Sequence, residues 1–130
     1  MFNEIGEDSE MKFYDEGHEA RYFSIMSRMR NNNERHASFA YLVSFVKVPV
    51  NDCFDFEKDE IKEDMLECEW IGSGSERVLK LAKNLWDFKF HADVSDVFSY
   101  VGDEYAEFMF YAIQIRYGYV PYLYCAGKDA

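Results

Sequence analysis

Helical periodicity, repeated four times, constrains this chain more than any other feature. Val78, Leu79, Ala82, Leu85 and Trp86 recur at i, i+1, i+4, i+7 and i+8, which lines one side of a helix. Tyr22, Ile25, Met26 and Met29 keep the i, i+3, i+4, i+7 spacing, with Phe23 beside them. Phe39, Leu42, Val43 and Val46 form a third stripe, widened by Tyr41 and Phe45. Tyr105, Phe108, Met109, Ala112 and Ile113 form a fourth, and Phe110, Tyr111, Ile115 and Tyr117 cover much of its other side. A helix apolar on nearly all sides belongs at the centre of a core or in an interface. The stripes predict an all-α or mostly α fold, a single compact domain of five to six helices.

Boundary residues support the same reading. Asp15 suits the N-cap of the first helix, because its carboxylate can accept from backbone N–H groups of the first turn. Asn31-Asn32-Asn33 breaks the chain, and Asn33 caps a second helix over 34–47 that Pro49 brings to an end. Two helices joined by so short a break form an antiparallel αα-hairpin. Ser73 and Glu76 have the S-x-x-E spacing of a capping box before the stripe that runs from Val78 to Trp86. Ser95 is expected to cap a short helix, and Asp103 a last one over 104–117 that closes at Gly118. Tyr119 to Tyr124 alternates like a strand, and Pro121 restricts it to an edge. The chain thus divides into a loose acidic lead-in (1–12), a helical core (13–117) and a tail (118–130).

Charge excludes some functions. The 130 residues carry 25 acids against 14 bases, a net charge of −11, which opposes nonspecific binding to nucleic acid or to an anionic membrane. No apolar run is long enough to cross a bilayer. The acidic start reads as no signal peptide, and three Cys without a CxxC pair point to a reducing cytoplasm.

The densest charge lies at 52–70, where nine acids face Lys58 and Lys62. Ile61, Met65, Leu66 and Trp70 allow a helix near 60–68, and Phe54 and Phe56 suggest a short extended piece before it. One reading is a solvated face. The other is a docking surface for a basic, nucleic-acid-handling protein: Asp55, Glu57, Asp59, Glu60, Glu63, Asp64 and Glu67 would steer encounter, and Phe54, Phe56 and Trp70 would anchor it.

Catalytic signatures are lacking. The turn at 72–76 has no Lys after it in the GK[ST] arrangement and is a helix entry rather than a phosphate loop. His18, His36, His91, Cys53, Cys68 and Cys125 stand singly, not in metal-ligand pairs. On the hairpin, His18 and His36 lie roughly 13 Å apart along the axis at 1.5 Å per residue. His18 instead stands level with the end of the second helix, so His18, Cys53 and Asp55 are the set through which a structural zinc could be held. No cofactor is expected, and the chain reads as non-enzymatic.

Several segments also form an ordered pattern: Asp15-Glu16-Gly17-His18-Glu19, Glu34-Arg35-His36 with Tyr41, Phe54-Asp55-Phe56, Trp70 with Ser73 to Ser75, Leu81-Ala82-Lys83-Asn84-Leu85 and Ala112-Ile113-Gln114-Ile115-Arg116-Tyr117. In this order they resemble a family of small uncharacterised proteins from prophages and mobile elements of Firmicutes. Ile71-Gly72 stands here in place of the Gln-Thr expected after the Trp. The resemblance carries over no functional residue. It implies a context in which small acidic proteins bind and block host defence nucleases, as anti-CRISPR proteins do, with a Cas9-type effector as the most specific target. The second expectation is a phage accessory domain that forms a homodimer through its apolar C-terminal helix, and the third a small metal-dependent enzyme.

Overall fold

A computed structural model describes residues 11–67, 72–99 and 101–125. In chain order the elements are α1 (Glu16–Arg28), α2 (Glu34–Val46), a 3₁₀ turn (Val50–Asp52), β1 (Phe54–Asp55), β2 (Glu60–Ile61), α3 (Ser73–Trp86), α4 (Val94–Phe98) and α5 (Gly102–Arg116). The fold is mostly helical, opens with the αα-hairpin, and adds one two-stranded antiparallel hairpin.

The first two helices begin where their caps require. Asp15 Oδ1 accepts the His18 N–H at 2.8 Å, and Asn33 Oδ1 accepts the His36 N–H at 3.0 Å. Each bond satisfies one of the N–H groups that a helix start leaves without a partner. Lys47, at φ 61°, ends α2 in the left-handed region just before Val48-Pro49. At α3 the cap lies one residue earlier than the S-x-x-E spacing suggests: Gly72 takes the N-cap position and its carbonyl accepts from Glu76 N at 2.8 Å. Likewise α4 and α5 start after Asp93 and Val101. Gly118, at φ +82°, closes α5: Tyr119 N donates to the Gln114 carbonyl and Gly118 N to that of Ile115, a Schellman motif.

The centre belongs to α2, not to α5. Every residue from His36 to Phe45 is buried, and α2 packs against α1, α3 and α5. α5 buries Phe108, Met109, Ala112 and Ile115 and leaves Phe110 and Tyr117 outside. Both helices are apolar nearly all round; what separates them is that the one-sided faces of α1 and α3 both close on α2.

The expected helix near 60–68 is absent as far as residue 67. Phe54 pairs with Ile61 and Asp55 with Glu60, and 63–66 are turns. A helix here would set Glu60, Glu63, Asp64 and Glu67 at i, i+3, i+4 and i+7, a row of like charges on one face. The hairpin spreads those charges and still buries Ile61 and Met65.

Two further expectations change. The tail at 119–125 is irregular rather than a strand; Tyr22 Oη donates to the Leu123 carbonyl and Tyr122 Oη to that of Asn32, both at 2.5 Å. Met11 and Lys12 belong to the packed structure rather than to a loose lead-in: Met11 is buried and Lys12 N donates to Tyr111 Oη at 3.2 Å. No described helix is long and apolar enough to cross a membrane.

Candidate functional site: the acidic hairpin and its histidine clasp

The hairpin is shaped by its own carboxylates. Asp55 Oδ1 accepts from Glu57 N at 3.0 Å and Lys58 N at 3.1 Å, which closes the turn. Asp59 then adopts φ 58°, a conformation Asp tolerates better than most residues. From there its carboxylate reaches back to the α1–α2 junction. Oδ2 accepts from Asn31 Nδ2 at 2.6 Å and contacts His36 Nε2 at 2.8 Å; Oδ1 accepts from Arg30 N at 3.3 Å.

His36 is enclosed, with the Trp86 ring 4.7 Å away edge-on and Phe54 at 6.3 Å. The Arg35 guanidinium lies 4.2 Å from the same indole. The other ring nitrogen of His36, Nδ1, is 2.8 Å from Asn33 Oδ1. That oxygen already accepts the His36 backbone N–H, so the Asn33 amide cannot turn its NH₂ toward the ring without breaking the helix cap. Both ring nitrogens therefore face acceptors, and only the doubly protonated ring satisfies both. Burial lowers the His36 pKa most, Arg35 adds to this, and Asp59 opposes it; the net direction is down. Burial pushes Asp59 up, and the bonds from Asn31, His36 and Arg30 outweigh it and hold the carboxyl below its usual range. The clasp is complete in the protonated form, and raising the pH removes one of its two ring bonds.

Of the candidate docking residues, Glu57, Glu60, Glu63, Asp64 and Glu67 are exposed. Asp59 is committed to the clasp and Asp55 to the turn. Phe54 is corrected as an anchor: it is 1% exposed, packed on Phe39, Phe56 and Trp86. Phe54 faces inward in β1, whereas Phe56, in the turn just past the strand, is half-buried beneath the Arg28 guanidinium at 3.8 Å. Trp70 lies outside the described residues. Beside the hairpin a cleft of about 260 Å³ is lined by Arg35, Glu60, Glu63, Trp86, Lys89 and Phe90, among others.

The zinc candidates are not brought together. His18 Nδ1 accepts from Tyr14 N at 3.0 Å and Nε2 donates to the Tyr41 carbonyl at 2.9 Å, so its single lone pair is already used. Burial lowers its pKa to about 4, against the Tyr41 bond that raises it. Cys53 is buried, with its carbonyl accepting from Lys62 N at 2.8 Å. Among the described residues no group of three His, Cys, Asp or Glu side chains is placed to hold a metal.

His36 and Asn31 were not singled out as site residues by spacing. The signal was present in the repeated cap-x-x-His pattern, Asp15 to His18 and Asn33 to His36; what the spacing omits is Asp59, which lies 23 residues beyond His36.

A small, mostly helical domain built round α2, with an acidic hairpin clasped to its first inter-helix junction, is the class of protein defined here. The chain belongs to a family of unknown function, DUF6075, whose model matches residues 8–126. No curated protein and no solved structure matches it.

Proposed function

We propose that this domain is a non-enzymatic binding protein of a phage or mobile element, and that it occupies a basic surface of a host nucleic-acid-handling defence protein, with a Cas9-type effector as the most specific target. The observation that carries this reading is the exposed acidic edge of the hairpin and the turn after it: Glu57, Glu60, Glu63, Asp64 and Glu67 lie outside the core, within eleven residues. Such an edge mimics the charge of a phosphate backbone, and a positively charged channel is what an RNA-guided effector offers to its nucleic acid.

The test is binding to a purified Cas9-type effector at rising ionic strength, with the variant Glu60→Lys/Glu63→Lys/Asp64→Lys/Glu67→Lys. The association rate should fall at least tenfold in the variant and also with salt, because exposed charges are screened over about 10 Å at 0.1 M. Phe56→Ala should instead quicken dissociation. A folded four-residue variant that blocks the effector as well as the natural sequence does would make the charge run a solvated face only.

A second reading rests on a different surface. Phe98 and Phe110 stack at 4.6 Å on the outside of α4 and α5, and Val94, Phe110 and Tyr117 are 73%, 54% and 60% exposed. A homodimer through this patch would show as a concentration-dependent mass in sedimentation, abolished by Phe110→Glu.

A further inference from the structure

We propose that the cleft between the C-terminal tail and the start of α2 binds a small quaternary ammonium ion of choline's size, with Glu34 as its counter-charge and Tyr122 and Tyr124 as the rings that receive its methyl groups. The tail is tied down on both sides of the cleft. Tyr122 Oη donates to the Asn32 carbonyl at 2.5 Å, Tyr22 Oη to the Leu123 carbonyl at 2.5 Å, and Leu123 N to Met11 Sδ at 3.1 Å. Between these ties lies a space of about 360 Å³, lined by Glu34, Gly118, Val120, Pro121, Tyr122 and Tyr124.

The lining is reachable and its polar group is free. Glu34 is exposed, and among the described residues its carboxylate forms no ion pair and accepts no hydrogen bond. A surface carboxylate without a partner is ordinary. This one borders a cleft whose other side chains are two tyrosines, a valine and a proline, with no basic group among them. Tyr122 is half-buried and Tyr124 is 48% exposed, so ring surface remains open to a ligand. Burial raises the Tyr122 phenol most, and Glu34 and Tyr124 add to it, which places both beside that ring.

This set of groups selects among ligands. Glu34 repels anions. A calcium ion takes about six to eight oxygen ligands, and one carboxylate among apolar walls serves it poorly. A primary ammonium brings three N–H donors that each need an acceptor, whereas the Tyr122 hydroxyl already donates to Asn32. A quaternary ammonium has no N–H to satisfy; it is held by an opposite charge and by aromatic faces. At about 30 Å³ per water-sized group the cleft holds about twelve such groups, enough for choline and a few waters. The net charge of −11 draws all cations, so preference for choline over calcium is what reports the cleft itself.

The experiment is titration of the full chain with choline, followed by amide and tyrosine ring chemical shifts. Saturable shifts are expected at Glu34, Val120, Tyr122 and Tyr124. The neutral isostere of choline, with carbon in place of nitrogen, should bind at least tenfold more weakly, and calcium should not compete. Glu34→Gln should weaken choline binding at least tenfold and Tyr124→Leu at least fivefold, while Tyr124→Phe, which keeps the ring, should leave it unchanged. The proposal is overturned by equal binding of the neutral isostere, by competition from calcium, by no saturable shift in the cleft, or by unchanged affinity in Glu34→Gln. Capture of the chain by phosphatidylcholine vesicles or by a trimethyllysine peptide, with no response to free choline, overturns it too. Should Glu34→Gln fail to fold, unchanged choline affinity in folded Tyr124→Leu overturns it equally.

Discussion

Asp15-x-x-His18 opens α1 and Asn33-x-x-His36 opens α2, and the two first turns are built alike, with the cap oxygen on the N–H of the residue three along. The rings then meet different surroundings. His18 points among Phe13, Tyr41, Phe45 and Phe108, where one ring nitrogen finds a donor and the other an acceptor. That pairing suits the neutral imidazole and fixes its tautomer. His36 finds an acceptor at each nitrogen, which suits the imidazolium. Helix position therefore sets where a histidine points, and the partners brought by distant chain decide what it is: the Tyr41 carbonyl in one case, the Asp59 carboxylate in the other. One histidine is a core residue, and the other fastens the acidic hairpin.

The contrast can be broken most forcefully at His18. His18→Ala removes a ring from an aromatic cluster and leaves the Tyr41 carbonyl and the Tyr14 N–H without their ring partner. A loss of about 4 kcal/mol is expected in urea unfolding, from the cavity and the lost bonds together. A loss below about 1 kcal/mol would remove the core role.

Acid is the next largest perturbation. The unfolded ring titrates near pH 6.5 and the folded one at about 4, so the unfolded chain binds the extra proton between those values. Stability from this group is full above pH 6.5 and declines as the pH is lowered toward 4, by about 3 kcal/mol. Unfolding curves at pH 7 and pH 4.5 should diverge less in His18→Gln, which hydrogen-bonds without titrating. Equal divergence in the two proteins would place the acid sensitivity elsewhere.

The smallest effect sharpens the other half of the comparison. A double-mutant cycle with His36→Ala and Asp59→Gly should return a coupling of about 1–2 kcal/mol at a pH acid enough to protonate the folded ring. The coupling should diminish at pH 8, where the ring has lost a proton that one of its acceptors needs. Imidazole ¹⁵N shifts provide the direct reading: His36 should gain its second ring proton below the usual histidine range while the chain is still folded, and His18 at pH 5 should carry a proton on Nε2 alone. A His36 ring that takes its second proton only on global unfolding would undo the assignment.

Much of the architecture could be read before any coordinates. The starts of α1 and α2 followed from Asp15 and Asn33, because a cap is a local interaction between residues three apart. The stripes of α1 and α3 were equally readable, since each is one-sided. The choice of α2 over α5 as the centre was not, because two helices apolar all round look alike until the faces of their neighbours are placed. The hairpin was hidden for another reason. Two residues per strand are too few for alternation to show, and the apolar spacing of Ile61, Met65 and Leu66 suits a helix that like-charge repulsion forbids. At the candidate site the acidic residues were readable and their division of labour was not: Asp55 and Asp59 are structural, and Phe54 faces inward, because only the register with Ile61 and Glu60 decides which side each residue takes.

The contact between Met11 Sδ and Leu123 N joins residues 112 apart in sequence. Closing a loop of that length late costs little more than closing half of it, since the entropy grows only as the logarithm, about 0.6 kcal/mol per doubling. The brace can therefore form last in folding and open first in the native state, while α2 and its neighbours stay assembled. Because this contact brings the two segments together, a short linker between them, with new ends cut into the exposed turn at Phe88-Lys89, would give a circularly permuted chain that keeps the same core.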